Sequence, residues 1–431
     1  MDPARLGGRE AARLIAEGEL TALALTEACL ARIEAREPLV QAWTYLDPDA
    51  ALAQARACDE GGPRPPLCGV PVGIKDIIDT ADMPTAYGSP IYENNQPKAD
   101  AECVARVRAA GGVILGKTVT TEFAFRHPFG QTANPHNPAH TPGGSSSGSA
   151  AAVADFMVPL AFGTQTGGSI IRPASYCGVY GYKPSYGIFS VRGIKALAPG
   201  LDTLGHFARS LDDIAWLAAV LSARVPADIP AWPDGPPRIG LARIPDWADA
   251  DPETINAVES AAAQLEAEGA ELSELAPPDV FTDLSKVHKT IMNVEAAGSL
   301  ARELKGHMEE LSDKLRGILV KATTVPSADY TNAVALAQDC RGHIDDLFAG
   351  NDVLLAASAP GEAPEGLGFT GDPVFNGMWT LLHLPCLTIP FTQGPHGLPI
   401  GVQLIGRPRE DAQLLSAAKW IATRLELSEL T

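Results

Sequence analysis

Basic charge is scarce in this sequence: 33 Lys and Arg stand against 52 Asp and Glu, a formal net charge of −19. Nucleic-acid binding needs a basic footprint, and so does docking on an anionic membrane. The expectation is therefore a chain with no nucleic-acid and no membrane partner. No apolar run approaches the ~20 residues of a membrane span. The start, Met1-Asp-Pro-Ala-Arg5, leads into a charged amphipathic pattern rather than an apolar signal region. Paired cysteines are absent as well. The seven cysteines are scattered, odd in number and never spaced C-x-x-C, which suggests neither a zinc site nor a disulfide framework. Scattered thiols fit a reducing compartment, so a cytoplasmic location is expected. There is no long Gly/Ser-rich or Pro-rich linker, no internal repeat and no low-complexity tract. Length alone would suggest about three domains of ~150 residues. Without a linker, and with a hydrophobic fraction of 45%, one layered unit over residues 1–431 is the expectation.

Helical spacing of Ala11, Leu14, Ile15, Leu23, Leu25, Ala28, Cys29 and Ile33 predicts two helices within residues 7–36. A further helix is predicted over 51–58, then a buried strand over 70–74 that ends directly before Lys75. A helix over 101–110 and a strand over 113–115 follow. Residues 150–154 start another helix, and 158–162 form a buried strand. Residues 238–242, 252–268 and 270–275 read as β-α-β, with Asp251 and Pro252 as cap and first-turn residue. Residues 283–349 read as several helices. Strands at 353–357, 387–390 and 400–404 and a helix over 411–425 close the chain.

Two glycine- and serine-rich stretches interrupt this pattern. Thr141-Pro-Gly-Gly-Ser-Ser-Ser-Gly-Ser149 packs four serines and three glycines into the seven residues from Gly143 to Ser149. Gly163-Thr-Gln-Thr-Gly-Gly-Ser-Ile-Ile-Arg-Pro173 follows. Glycines let a ligand approach the main chain, and successive N–H groups can converge on an anion. Apolar residues follow each stretch (150–154, then Ile170 and Ile171), which argues against flexible linkers.

With the upstream segment Pro71-Val-Gly-Ile-Lys75-Asp76, these stretches resemble the amidase signature family of serine hydrolases. Ser145 and Ser169 stand 24 positions apart, as the two serines of that family do. The similarity continues through Thr370-Gly-Asp-Pro-Val-Phe-Asn376, Trp379-Thr380, Pro385-Cys-Leu-Thr-Ile-Pro390 and Gly401-Val-Gln-Leu-Ile-Gly406. The resemblance implies an α/β fold, a large mixed, twisted sheet covered by helices on both faces. It implies Ser169 as nucleophile, Ser145 as proton shuttle held by a cis Gly144–Ser145 peptide, and Lys75 as general base. The N–H groups of Thr166, Gly167, Gly168 and Ser169 would form the oxyanion hole. A serine hydroxyl needs a base, and a lysine serves as one only when its charge is suppressed by burial or nearby positive charge. Arg172 resembles a substrate-carboxylate clamp of the malonamidase branch, with a loop brace as the equal alternative. Gln165 is expected to orient the loop. Phe123, Phe129, Trp379 and Thr380 are candidate pocket-lining groups, and core packing is the alternative for each aromatic. Residues 283–349 would shape a substrate funnel.

Two other motifs compete. Gly111-Gly-Val-Ile-Leu-Gly-Lys117-Thr118 matches a phosphate loop letter for letter, but a helix pattern precedes it and its interior is strand-like. Gly144-Ser-Ser146-Ser-Gly148 matches a nucleophile elbow, with His383 and His396 downstream, but no strand pattern leads into it. His127 and His136 lack a third ligand at metal-site spacing. The expected activity is hydrolysis of a C–N bond in a small-molecule amide through an acyl-enzyme, with aryl amide, carbamate (urethane), urea-type and ester substrates open. No metal or organic cofactor is expected, and a homodimer is left open. One alternative is the glutaminase subunit of a tRNA-dependent amidotransferase, which needs partner subunits; the acidic charge offers it no support. Another is a catalytically idle binding or scaffold protein, against which the intact Lys75, Ser145 and Ser169 set argues.

Overall fold

In the computed structural model of the chain, residues 2–62, 65–125, 132–233, 235–243 and 247–427 are described. Eleven strands form one sheet: β1 (Trp43–Leu46), β2 (Pro71–Lys75), β3 (Val113–Thr118), β4 (Leu160–Gln165), β5 (Tyr180–Lys183), β6 (Thr203–Ala208), β7 (Arg238–Leu241), β8 (Glu271–Glu274), β9 (Val353–Ala357), β10 (Cys386–Gln393) and β11 (Pro399–Ile405). Their order across the sheet is β1-β3-β2-β4-β6-β5-β10-β11-β9-β7-β8. The sheet is mixed. β2 runs parallel to β3 and β4, the stretch from β4 to β9 is antiparallel, and β7 lies parallel to β8 and β9.

The central strands are buried at every residue, as expected where helices cover both faces and a strand reads as a continuous apolar run. β9 shows the two faces directly. Val353, Leu355 and Ala357 join one core cluster, while Leu354 and Ala356 join another built on the helices of residues 284–348. Alternation along a strand sends successive side chains to opposite faces. The α/β class, with a large mixed sheet covered by helices, is thus as the sequence indicated.

Several boundaries move. The helices predicted within 7–36 are Gly8–Glu17 and Ala22–Val40, and the Thr21 hydroxyl caps the second by accepting from Ala24 N at 3.0 Å. Pro252 opens Pro252–Ala267, but the Asp251 side chain makes no capping hydrogen bond. The predicted strand over 113–115 continues to Thr118, and the one over 158–162 is shifted to Leu160–Gln165. Residues 283–349 hold the helices Leu284–Ser299, Ala301–Gly306, Asp313–Ala322, Ser327–Gly342 and Ile344–Phe348. β1, β5, β6 and the helix Leu211–Leu221 lie outside the predicted elements. Among the described residues no helix is long and apolar enough to cross a membrane.

Candidate active site

Lys75 is the last residue of β2, and its side chain is fully buried. Nζ donates to Ser145 Oγ at 2.8 Å and to Thr164 Oγ1 at 2.8 Å, with Thr164 O at 3.5 Å. Both close partners are neutral hydroxyls, so they do little to stabilise an ammonium. Burial therefore drives the Lys75 pKa well below its ordinary range, and only the charge of Asp202 opposes that fall.

The loop carrying Ser145 is pinned from three sides. Gly143 has φ +81°, and a Cβ there would stand 2.8 Å from Pro173 Cα. The Gly144–Ser145 peptide is cis. Thr121 N donates to Ser145 O at 3.2 Å, and the Arg172 guanidinium donates to Gly144 O. Ser146 Oγ, in contrast, is fully buried and donates to Ser169 O at 2.6 Å. Ser149 Oγ donates to Phe162 O at 2.7 Å from the first turns of the helix Ser147–Ala154.

β4 delivers the second stretch. It ends at Gln165, and Thr166, Gly167, Gly168 and Ser169 then lead into the helix Ile171–Cys177. Gln165 Oε1 accepts from Ile170 N at 2.8 Å and Ile171 N at 3.1 Å. Gln165 Nε2 donates to Thr380 Oγ1 at 3.0 Å, and that hydroxyl donates to Gly167 O at 2.8 Å. Gly168 is sterically required, because a Cβ would fall 2.2 Å from Asn376 Oδ1. Thr166 Oγ1 donates to Asp202 Oδ1 at 2.6 Å, and Thr166 O lies 2.8 Å from His288 Nε2.

Ser145, Thr166, Gly167, Gly168, Ser169 and Arg172 all line one small pocket, closed off by Leu197, His288 and Met292. Phe123 instead is buried edge-on to Tyr92 with Lys195 Nζ 5.7 Å from its ring centroid. Trp379 is fully enclosed in the core. Thr380 acts on the site through Gln165 and Gly167. Phe129 and His127 lie outside the described residues. Asp202 and His288 are not marked by the sequence, since an Asp beside a strand and a His within a helix carry no spacing signal. Thr164 lies within the second glycine-rich stretch, but nothing in that stretch assigns it a role.

The rival motifs have structural explanations. Lys117 of the phosphate-loop match sits inside β3, fully buried, donating to Ile78 O at 2.7 Å and Thr85 Oγ1 at 2.6 Å, with Asp76 Oδ1 at 3.4 Å. Of the elbow reading's histidines, His383 stacks on Tyr186 with Nε2 2.9 Å from Gly200 O. His396 is mostly exposed and pairs with Glu362. Among the described residues no group of three or more His, Cys, Asp or Glu is placed to hold a metal ion.

The comparisons with known proteins agree on the family and correct two expectations. Over 460 aligned residues the chain is 37% identical to the A-type subunit of the glutamyl-tRNA(Gln) amidotransferase of Roseiflexus castenholzii, covering 94% of this chain and 93% of the relative. A crystal structure of an amidase superimposes with a TM-score of 0.90 at 32% identity, covering 97% of this chain and all of that one. The A-type subunit of the glutamyl-tRNA(Gln) amidotransferase of Thermotoga maritima superimposes with a TM-score of 0.82 at 27% identity, covering 100% and 99% of the two chains. The expected hydrolase of a small-molecule C–N bond is overturned by the two amidotransferase subunits, which favour the amidotransferase alternative. The expected partner set, a small-molecule substrate without nucleic acid, is overturned with it, because those two relatives are subunits of an assembly named for a tRNA. The Amidase profile matches residues 24–415. The chain belongs to the Amidase family and is an enzyme of the amidohydrolase class.

Proposed function

We propose that this chain is the glutamine-hydrolysing subunit of a tRNA-dependent amidotransferase. The observation that carries this reading is the near full-length identity to the A-type subunits of such enzymes. The contact of Lys75 with Ser145, which lines one pocket together with Ser169, supports it. The whole chain is read as one catalytic unit in the cytoplasm, with residues 283–349 forming the wall through which glutamine enters.

In this reading neutral Lys75 takes the Ser145 proton while Ser145 takes that of Ser169. The Ser169 oxygen then attacks the carboxamide carbon of glutamine. Negative charge develops on the carboxamide oxygen, and the N–H groups of Thr166 to Ser169 receive it. Each such donor contributes about 2.7–4 kcal/mol to related reactions. Ser145 returns the proton to the departing nitrogen, and ammonia leaves. Water, deprotonated along the same path, cleaves the γ-glutamyl ester on Ser169 to give glutamate. Companion subunits would use the ammonia on glutamyl-tRNA.

The test is to purify the tagged chain with its cellular companions and measure ammonia released from glutamine. Stable companions and a release abolished by Ser169→Ala are expected. A chain that purifies alone and releases no ammonia from glutamine, with or without candidate partner subunits, would overturn the reading.

A further inference from the structure

The segment from Lys195 to Asp202 touches both the candidate active site and the helices of residues 284–348, yet it takes no part in the proton path from Ser169 to Lys75. Asp202 is its pivot. Oδ1 accepts from the Thr166 hydroxyl at 2.6 Å, at the head of the oxyanion segment. Oδ2 accepts from Leu197 N at 2.8 Å and Ala198 N at 3.0 Å, and Leu197 is a pocket wall. The same segment is fixed from the other side. Gly200 N donates to Glu295 Oε2 at 2.7 Å, and Lys195 Nζ lies 2.6 Å from Glu303 Oε1.

We propose that Asp202 is a positioning residue of the reaction: its carboxylate holds Thr166 and Leu197 in register around the bound amide. The inference rests on the assignment of Lys75 as base and Ser169 as nucleophile.

The electrostatics agree with the geometry. The charge of Asp202 pushes the Lys75 pKa upward against burial. Its own pKa is raised to about 6 by burial and by Glu295, against the hydrogen bonds from Thr166, Leu197 and Ala198. The other charged or titratable groups around it are accounted for. Lys195 is paired with Glu303, His288 meets Thr166 O, Arg172 holds Gly144 O, and the Tyr186 hydroxyl donates to Pro199 O at 2.6 Å. An anion near a lysine favours the ammonium. Removing that anion leaves Lys75 neutral at lower pH, so the acid limb of the rate profile must move down.

The experiment follows the rate of Ser169 labelling by a fluorophosphonate against pH, a readout that does not depend on the natural substrate. Two variants separate charge from positioning. Asp202→Asn removes the charge while an amide can still serve both neighbours. Its acid limb is expected to fall by roughly one pH unit, the lower end of what a nearby opposite charge does. Thr166→Val removes the hydroxyl and leaves the charge. Its plateau rate is expected to drop roughly tenfold or more, as for loss of a hydrogen bond to a charged group, with the limb unmoved. A limb in Asp202→Asn that superimposes on wild type, or a Thr166→Val plateau equal to wild type, overturns the proposal. If wild type is not labelled on Ser169 at all, the underlying catalytic assignment fails instead.

Discussion

Lys75 shows how burial can keep an ordinary lysine neutral. It sits at the end of a fully buried strand, meets two hydroxyls, and has its pKa well below the usual lysine range because burial disfavours the ammonium. With Lys75 as the proposed base the neutral form is the working form, so activity is expected above the folded-state pKa of Lys75 and is expected to be lost as pH falls through it. A pH–rate profile with a single acid limb, absent in Lys75→Ala because turnover is nearly abolished, is the expected record. Ser146 lies next to Ser145, yet its hydroxyl is committed to Ser169 O. Ser169→Ala should therefore abolish turnover, by ~10⁴-fold or more as in other serine hydrolases, and Ser145→Ala should cut it severely. Ser146→Ala should be milder and show mainly in thermal stability. Arg172 is buried and donates to Gly144 O and to Thr370 Oγ1 at 3.3 Å. Arg172→Leu is expected to lower kcat and unfolding stability together, by about 1.5–3 kcal/mol for the lost charged hydrogen bonds. A rise in KM alone would point to direct substrate binding.

At the scale of elements, legibility follows chemistry. β2, β9 and β11 carry apolar runs between turn signals, so they are visible in the sequence. β6 does not stand out because Gly205 and His206 break its run. In the structure both are buried: a Cβ on Gly205 would stand 2.1 Å from Tyr182 O, and His206 Nε2 lies 2.9 Å from Ile214 O. Tertiary fit decides that strand, not propensity. The same holds for the site. The serines and Lys75 are visible through motif spacing, whereas Asp202 and His288 arrive through long-range packing that no local pattern encodes. The close approach at Gly168 offers an element-scale test. Gly168→Ala places a methyl on the Asn376 side chain, whose Nδ2 holds Ser358 O at 3.0 Å. The folded protein should lose most of its Ser169 labelling while circular dichroism stays unchanged; undiminished labelling would show that the segment can shift without cost.

For the molecule as a whole, three separated motifs are enough to reveal family and fold, but not the assembly. A net charge of −19 argues, taken alone, against contact with tRNA, and the relatives correct that inference. Prolonged chelation followed by desalting is expected to leave the proposed glutamine hydrolysis unchanged, and a loss restored by one specific metal would refute this. The central claim is that glutamine is opened on Ser169 with Lys75 as base. Its most direct test is mass spectrometry of the protein after reaction with a diazoketone analogue of glutamine, which traps the attacking group covalently. An adduct is expected on the peptide containing Ser169, competed away by glutamine and not formed in Lys75→Ala. An adduct on Ser146, or labelling that survives in Lys75→Ala but fails when His383 or His396 is replaced, would contradict it.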